Sequence, residues 1–323
     1  MEVEARRVVV TGGAGFIGSH IVDALMVKGC EVVVIDNLST GSINNISHHI
    51  KSPYFKLIIE DLKCRRGKWF PAIRESDVVF HFAANPEVRL STVDPETHFN
   101  DNVVATFNLL EAIRRFDIEE LVFASSSSVY GEVKSIPVNE TAPLRPVSVY
   151  GASKVACESL IHAYSELYGL RALICRYANV VGPRLKHGVV YDFVVKLIKN
   201  PNQLEILGDG TQRRSYIYID DAVKATMVVL QHARKRFDVY NIANVDHIIV
   251  KEVADIVVSC MGQSNVKYVY KPVAHGIGWK GDVKCVVLDI TKLIRIGFRP
   301  KIHSAEAIRR TAKYLFKELR RKL

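Results

Sequence analysis

The sequence predicts a doubly wound α/β fold, in which a parallel sheet carries helices on both faces and is followed by a smaller mixed α/β lobe. Three observations predict it. Short β-branched runs alternate with helical patterns through the first half, a Gly-x-x-Gly-x-x-Gly turn joins the first run to the first helix, and after Asn179 the alternation loosens under proline and glycine punctuation. Strand–helix–strand alternation needs crossovers that cover both sheet faces, so the strands read as apolar runs.

In chain order, VVVT (8–11) reads as a strand, the amphipathic stretch 16–28 as a helix and EVVVID (31–36) as the next strand. Further strands are expected at 54–59, 77–82, 120–124 and 172–175, with helices over 95–115 and 149–168. Beyond them Gly182, Pro183, Gly208 and Gly210 cut the chain into shorter pieces. The well-formed helical pattern at 219–232 is expected to pack back on the first lobe. The expected division is therefore 1–178 and 179–323, with part of 215–245 returning to the first unit.

Composition bounds the function. A chain of 323 residues, 48% hydrophobic and 24% charged, has the makings of a large core and none of the bias of a disordered protein. The formal charge of +10 is scattered, and concentrates only at 309–322. That run fits a helix with a solvated basic face, and no zinc-finger spacing or aromatic RNA-binding signature accompanies it, so no nucleic-acid partner is expected. The surplus suits an anionic substrate. Cys30, Cys64, Cys157, Cys175, Cys260 and Cys285 stand far apart without Cys-x-x-Cys spacing, so neither a metal site nor a disulfide framework is expected. There is no apolar signal core and no run of about 20 apolar residues, which points to a reduced, cytoplasmic protein with no membrane partner.

Gly12, Gly15 and Gly18 lie between a strand and a helix, where glycine lets the backbone turn tightly and approach a pyrophosphate held at the helix N-terminus. Asp36 ends the second strand about 20 residues on, where a carboxylate can bind both hydroxyls of an adenosine ribose. This is a Rossmann-type dinucleotide site. Asp36 repels the ribose phosphate of NADP, and Asn37 and Leu38 offer no offsetting cation, so NAD is the expected cofactor. Asp61, after the next strand, is placed either to meet the adenine edge or merely to form a strand-end turn.

Tyr150 and Lys154 stand four residues apart on a predicted helix, about one turn, so phenol and ammonium share a face. A cation beside a phenol favours the phenolate, and Lys154, together with the positive nicotinamide ring of the cofactor, is expected to lower the Tyr150 pKa. His81, in an apolar strand, and His187, in a loop, read as structural rather than catalytic.

The segments TGGAGFIGSH, VIDNLSTG, FHFAANPEV, FASSSSVYG, YGASK, RYANVVGPR and GDGTQRRSYIYIDD occur in this order along nearly the whole chain. With them the protein resembles the extended short-chain dehydrogenases/reductases, and within that family the UDP-glucose (UDP-galactose) 4-epimerases. The resemblance implies that Tyr150 and Lys154 are catalytic and also bind cofactor, and that Ser126, found by counting back from the VYG triplet, meets the sugar hydroxyl. It implies a cofactor site of Gly12, Gly15, Phe16, Ile17, Gly18, Asp36, Asn37, Ser39, Asp61, Leu62, Phe82, Ala83, Ala84 and Asn102. It implies a UDP-sugar site containing Ser126, Tyr150, Asn179, Arg214, Asp282 and Val286, and a homodimer formed through the helices at 95–115 and 149–168. Chemistry assigns the same central roles: oxidising a secondary alcohol needs a base, a donor for the developing oxyanion and an acceptor nicotinamide, which Tyr150, Ser126 and NAD supply.

The related dehydratases carry Asp-Glu after the catalytic hydroxyl and the decarboxylases carry Glu, whereas this chain has Ser127 and Ser128. Without that acid, elimination lacks its proton carrier, and oxidation followed by re-reduction at carbon 4 is expected. Four positions depart from the family pattern: Pro86 replaces a lysine, Ser215 replaces the aspartate after Arg214, Trp279 replaces a diphosphate-binding arginine, and Val286 stands where a tyrosine can exclude 2-acetamido sugars. Valine leaves room for N-acetylated UDP-hexoses. UDP-glucuronate is an alternative substrate, and a non-catalytic NAD sensor the alternative of a different class, disfavoured by Ser126, Tyr150 and Lys154 together.

Overall fold

The structure, a computed structural model, describes residues 6–133 and 135–321. Six strands, β1 (Arg7–Thr11), β2 (Glu31–Asp36), β3 (Phe55–Ile59), β4 (Val78–His81), β5 (Glu120–Ser126) and β6 (Arg171–Tyr177), build most of the main sheet. The chain then leaves for β7 (Asn179–Val181), β8 (Gln203–Leu207), β9 (Arg213–Arg214) and β10 (Tyr216–Tyr218), and returns with β11 (Phe237–Ile242) as the seventh strand. The order is β11-β6-β5-β4-β1-β2-β3, parallel throughout. This is a Rossmann-type fold. The crossover from β3 to β4 jumps the sheet, so strand order reverses between β1 and β4, the place where such sheets open a crevice at their carboxyl ends.

Strand alternation explains why the runs are apolar throughout. Val8 and Val10 of β1 belong to one core with Ile21, Val22 and Leu25, while Val9, between them, joins a second core with Leu109, Leu110 and Ile161. The first face is covered by α1 (Phe16–Val27), the second by α4 (Ala105–Phe116) and α5 (Val149–Tyr168), with the short α2 (Trp69–Ala72) and α3 (Pro95–His98) preceding α4. Ser148 caps α5 by accepting from the Gly151 N–H at 3.1 Å, and Gly169 ends it in the left-handed conformation.

The single helix expected over 95–115 is divided. Asp94 caps α3, but residues Phe99–Val104 wind as a π-helix before α4 begins. A π turn arises where one extra residue is held in the helix by side-chain demands, and here Asn102 is pinned on both sides, as described below.

Residues after β7 form a third core around α6 (Val189–Lys199), and α7 (Ile219–His232) packs against α1 and the main sheet. The strand pair β8 with β13 (Lys267–Lys271), the set β12 (Ile248–Ile249), β9 and β14 (Cys285–Val286), and α8 (Val250–Cys260), α9 (Thr291–Arg295) and α10 (Ser304–Arg320) complete the chain. α10 buries Ala307, Ile308, Ala312 and Leu315, and Glu306 bonds both Arg309 and Arg310 on its outer side; Lys322, at the end of the basic run, lies outside the described residues. All six cysteines are free, and among the described residues no helix is long and apolar enough to cross a membrane.

Candidate active site

A cleft of about 490 Å³ opens at the carboxyl ends of the strands, where β1, β2, β5 and β6 deliver Thr11, Asp36, Ser126 and Tyr177 to one edge. Every residue named above for cofactor or substrate lines it except Asn102.

The half of the cleft beside β1 and β2 is shaped by missing side chains. A Cβ on Gly12, at φ 68°, would lie 2.5 Å from the Ala83 nitrogen, and one on Gly18 would lie 2.2 Å from the Gly12 carbonyl oxygen. Gly15 caps α1 with no side-chain bond, leaving the first N–H groups of the helix to an anion. Asp36 is 7% exposed and accepts from the Ala14 N–H at 2.9 Å and the Leu38 N–H at 2.8 Å, one on each oxygen. A carboxylate has about four acceptor sites, so two remain for a diol. Asp61 accepts from Asn37 Nδ2 at 2.9 Å, and Ser39 donates to Asn37 Oδ1 at 2.7 Å, so these three form one rim.

Asn102 is the one of these residues that does not itself line the cleft. It is 1% exposed and lies behind the wall, accepting from the Asn85 N–H at 2.8 Å and donating to Ser153 Oγ at 2.8 Å. Its work is to latch the loop after β4 onto α5. His81 is structural: fully buried, it bridges Thr11 and Thr106 through both ring nitrogens, and burial pushes its pKa down to about 3, so it is neutral. His187 lies at the exposed mouth of the cleft.

At the far end, the Ser126 hydroxyl accepts from Ser128 Oγ at 2.9 Å and is hydrogen-bonded with the Tyr150 phenol. Lys154, 3% exposed, donates to the Ala124 carbonyl at 2.8 Å, and its Nζ lies 5.9 Å from the Tyr150 ring centre. Lys154 by itself does not lower the Tyr150 pKa. Tyr150 opens onto the cleft and is only half-buried, yet the atoms packed around it push the phenol up to about 12, and the Ser126 bond offsets only part of that. Lys154 is driven down to about 8 by burial, because its nearest polar partner is a carbonyl rather than an anion. Desolvation is the largest influence on both groups.

Behind these residues runs a buried network that the sequence reading missed. Arg176 holds Glu158 through Nε at 3.0 Å and Nη2 at 2.6 Å, Ser125 donates to the same carboxylate, and Arg176 Nη1 donates to Tyr130 Oη at 3.0 Å. Glu158 sits one turn beyond Lys154, and Ser125 precedes Ser126, so the pair pins α5 to β5 and β6 directly behind the chemistry. The spacing 150, 154, 158 on one helical face was the available signal.

On the substrate side, Asn179 faces the cleft from β7, and Val286 is 6% exposed within the wall. Arg214 is more constrained than expected. Its guanidinium bonds Asp282 at 2.9 Å and the carbonyls of Arg213, Lys284 and Val283, so Asp282 serves as its anchor in place of the lost aspartate neighbour. Among the described residues the Trp279 indole N–H is buried without a partner at this end.

A model of the NAD dependent epimerase/dehydratase family matches residues 8–243. The chain belongs to the NAD-dependent epimerase/dehydratase family. A curated relative, a putative UDP-glucose 4-epimerase of Methanocaldococcus jannaschii, is 36% identical over 313 residues, 95% of this chain and 98% of that one. A crystal structure of a UDP-galactose 4-epimerase is 49% identical, with a TM-score of 0.86 over 97% of this chain and 99% of that chain. A UDP-N-acetylglucosamine 4-epimerase from Methanobrevibacter ruminantium, in complex with UDP-N-acetylmuramic acid, is 32% identical, with a TM-score of 0.86 over 98% and 100%. As in the rest of the epimerase/dehydratase family the cofactor is NAD, and the glycine clearances, the open N-terminus of α1 and the two free acceptor sites of Asp36 fit it.

Proposed function

We propose that the protein is an NAD-dependent 4-epimerase of a UDP-hexose, interconverting UDP-galactose and UDP-glucose through a transient 4-keto sugar. The observation that carries this reading is the hydrogen-bonded pair Ser126 and Tyr150 beside Lys154, followed by two serines where elimination chemistry places an acid.

As the phenolate, which the positive ring of bound NAD and the Lys154 ammonium would together favour, Tyr150 takes the proton of the carbon-4 hydroxyl and becomes the phenol, and Ser126 steadies the oxygen as charge develops on it. NAD, when bound, supplies the hydride acceptor and donor and brings a positive ring to this end of the cleft. Lys154, fixed by the Ala124 carbonyl, holds cofactor ribose and keeps a cation near the phenol. Tyr150 then returns the proton after the ketose has turned over, so the residue acts once in each direction. Asn179 and Arg214 hold the UDP portion. The remaining cofactor-site residues, Gly15, Phe16, Ile17, Asn37, Ser39, Asp61, Leu62, Phe82, Ala83 and Ala84, line its path.

The reaction is tested by incubating the purified protein with UDP-galactose, without added NAD, and looking for UDP-glucose. Conversion supports the reading; no conversion even with added NAD rejects it. A panel including UDP-glucuronate and N-acetylated UDP-hexoses separates the alternatives, supported by the N-acetylhexosamine-type relative and by Val286. If Val286 admits the acetamido group, Val286→Tyr loses UDP-N-acetylgalactosamine turnover and keeps that of UDP-galactose; equal failure of the N-acetylated sugar in both proteins rejects that role.

A homodimer belongs to the same proposal. Phe99 is 57%, Phe107 37% and Leu167 71% exposed, and with Ala152, Ser159 and Ala163 they give α4, α5 and the π segment an outward face of apolar and small residues. Gel filtration at twice the chain mass is the expected result.

A further inference from the structure

We propose that Asp23, His48 and His49 form a site for a zinc-class divalent ion, outside the cleft. Asp23 projects from α1, and the two histidines from the 3-10 turn Ser47–His49. Both Nε2 atoms lie 2.8 Å from Asp23 Oδ1, and the three candidate ligand atoms fall within 4.8 Å of one another. Two imidazoles and one carboxylate form a donor set that suits zinc, cobalt or nickel and not magnesium or calcium, which take oxygen ligands. With metal–ligand bonds of about 2.0–2.1 Å in tetrahedral geometry, neighbouring ligand atoms stand roughly 3.3 Å apart, so each of the two nitrogen-to-Oδ1 distances needs to open by about half an ångström.

The surroundings hold the ligands in place. Arg184 donates to the other oxygen of Asp23 at 2.8 Å, which orients the carboxylate and leaves Oδ1 toward the rings; ligating carboxylates commonly carry such an outer bond. The His49 ring packs 5.8 Å from that of Phe55, and the fully buried Ile46 roots the segment in the core. His48 is exposed, which leaves a path for the ion and room for water as a fourth ligand. Ser42 N–H and Asn45 Nδ2 both donate to the Ala14 carbonyl, at 2.9 and 2.8 Å, so the ion would tie α1 to a segment already fastened to the glycine turn. The sequence reading expected no metal because it weighed cysteine spacing; an aspartate and a histidine pair 25 residues apart make no recognisable motif.

The test titrates tag-free protein with zinc by calorimetry and with cobalt by absorbance. The expected result is one saturable equivalent, tetrahedral cobalt bands, a melting temperature that rises and then levels off, and no displacement by magnesium. His48→Ala and His49→Ala, each with an unchanged circular dichroism spectrum, should weaken binding on the order of tenfold or more. Absence of saturable binding, wild-type affinity in both variants, or a sulfur-to-metal charge-transfer band placing cobalt on a cysteine would overturn the assignment. None of these readouts depends on the sugar the enzyme accepts.

Discussion

Replacing Lys154 by methionine should make the cofactor-free protein more stable while disabling it. Burial lowers the lysine from its ordinary 10.5 to about 8, and at about 1.4 kcal/mol per unit the fold opposes the ammonium by roughly 3 kcal/mol. Methionine removes that opposition and fills a similar volume, but it leaves the Ala124 carbonyl without its 2.8 Å donor, a loss of about 1 kcal/mol. The expected net gain is about 2 kcal/mol at pH 7. Its sign depends on pH: below about 8 the folded lysine is charged and carries the full penalty, between about 8 and 10.5 only the unfolded chain holds the proton, and wild-type stability therefore rises with pH across that window. Urea denaturation of both proteins at pH 7 and pH 10 measures the gap, which should shrink toward the higher pH. A methionine variant less stable than wild type at pH 7, or a gap independent of pH, would refute the reasoning.

Three further outcomes follow from the site. Tyr150→Phe should lower kcat by about 10²- to 10⁴-fold with UDP-sugar binding retained, measured by steady-state kinetics and calorimetry, because it removes the proton carrier and little contact area. Glu158→Gln should cost about 3–5 kcal/mol in chemical denaturation, since it leaves the Arg176 guanidinium, 4% exposed, without its counter-charge. Gly18→Ala should abolish retention of NAD after purification, read from absorbance of the released dinucleotide, because its methyl would overlap the Gly12 carbonyl at 2.2 Å.

The legible parts were those governed by local pattern. Apolar runs bounded by turns located the strands, because burial on both sheet faces forces every position in Val8–Val10 and Val32–Val34 to be apolar. The cleft followed from glycine spacing and from Asp36, since backbone clearance and strand-end placement are set within a few residues. What could not be read depends on distant packing. The Tyr150 and Lys154 pKa values are governed by desolvation, which depends on packing such as that of Phe123 against Lys154, whereas sequence shows only that the two groups are neighbours. The constraint on Arg214 comes from residues 68 to 70 positions away, and the Arg176–Glu158 pair joins a helix to a strand across a turn. The bonds of Asn102 to the Asn85 loop and to Ser153 were equally out of reach, since they join elements 17 and 51 positions apart.

That π segment also determines which length changes the chain can survive. A one-residue deletion within Phe99–Val104 would relax the wide turn to an ordinary helical one, leaving the inward order of Leu109, Leu110 and Ile113 downstream unchanged. The same deletion inside α4 would rotate every later side chain by about 100° and turn those three residues toward solvent. Lineages that shorten this helix are therefore steered to one short window, and the change that spares the core there releases the Asn85 loop from α5.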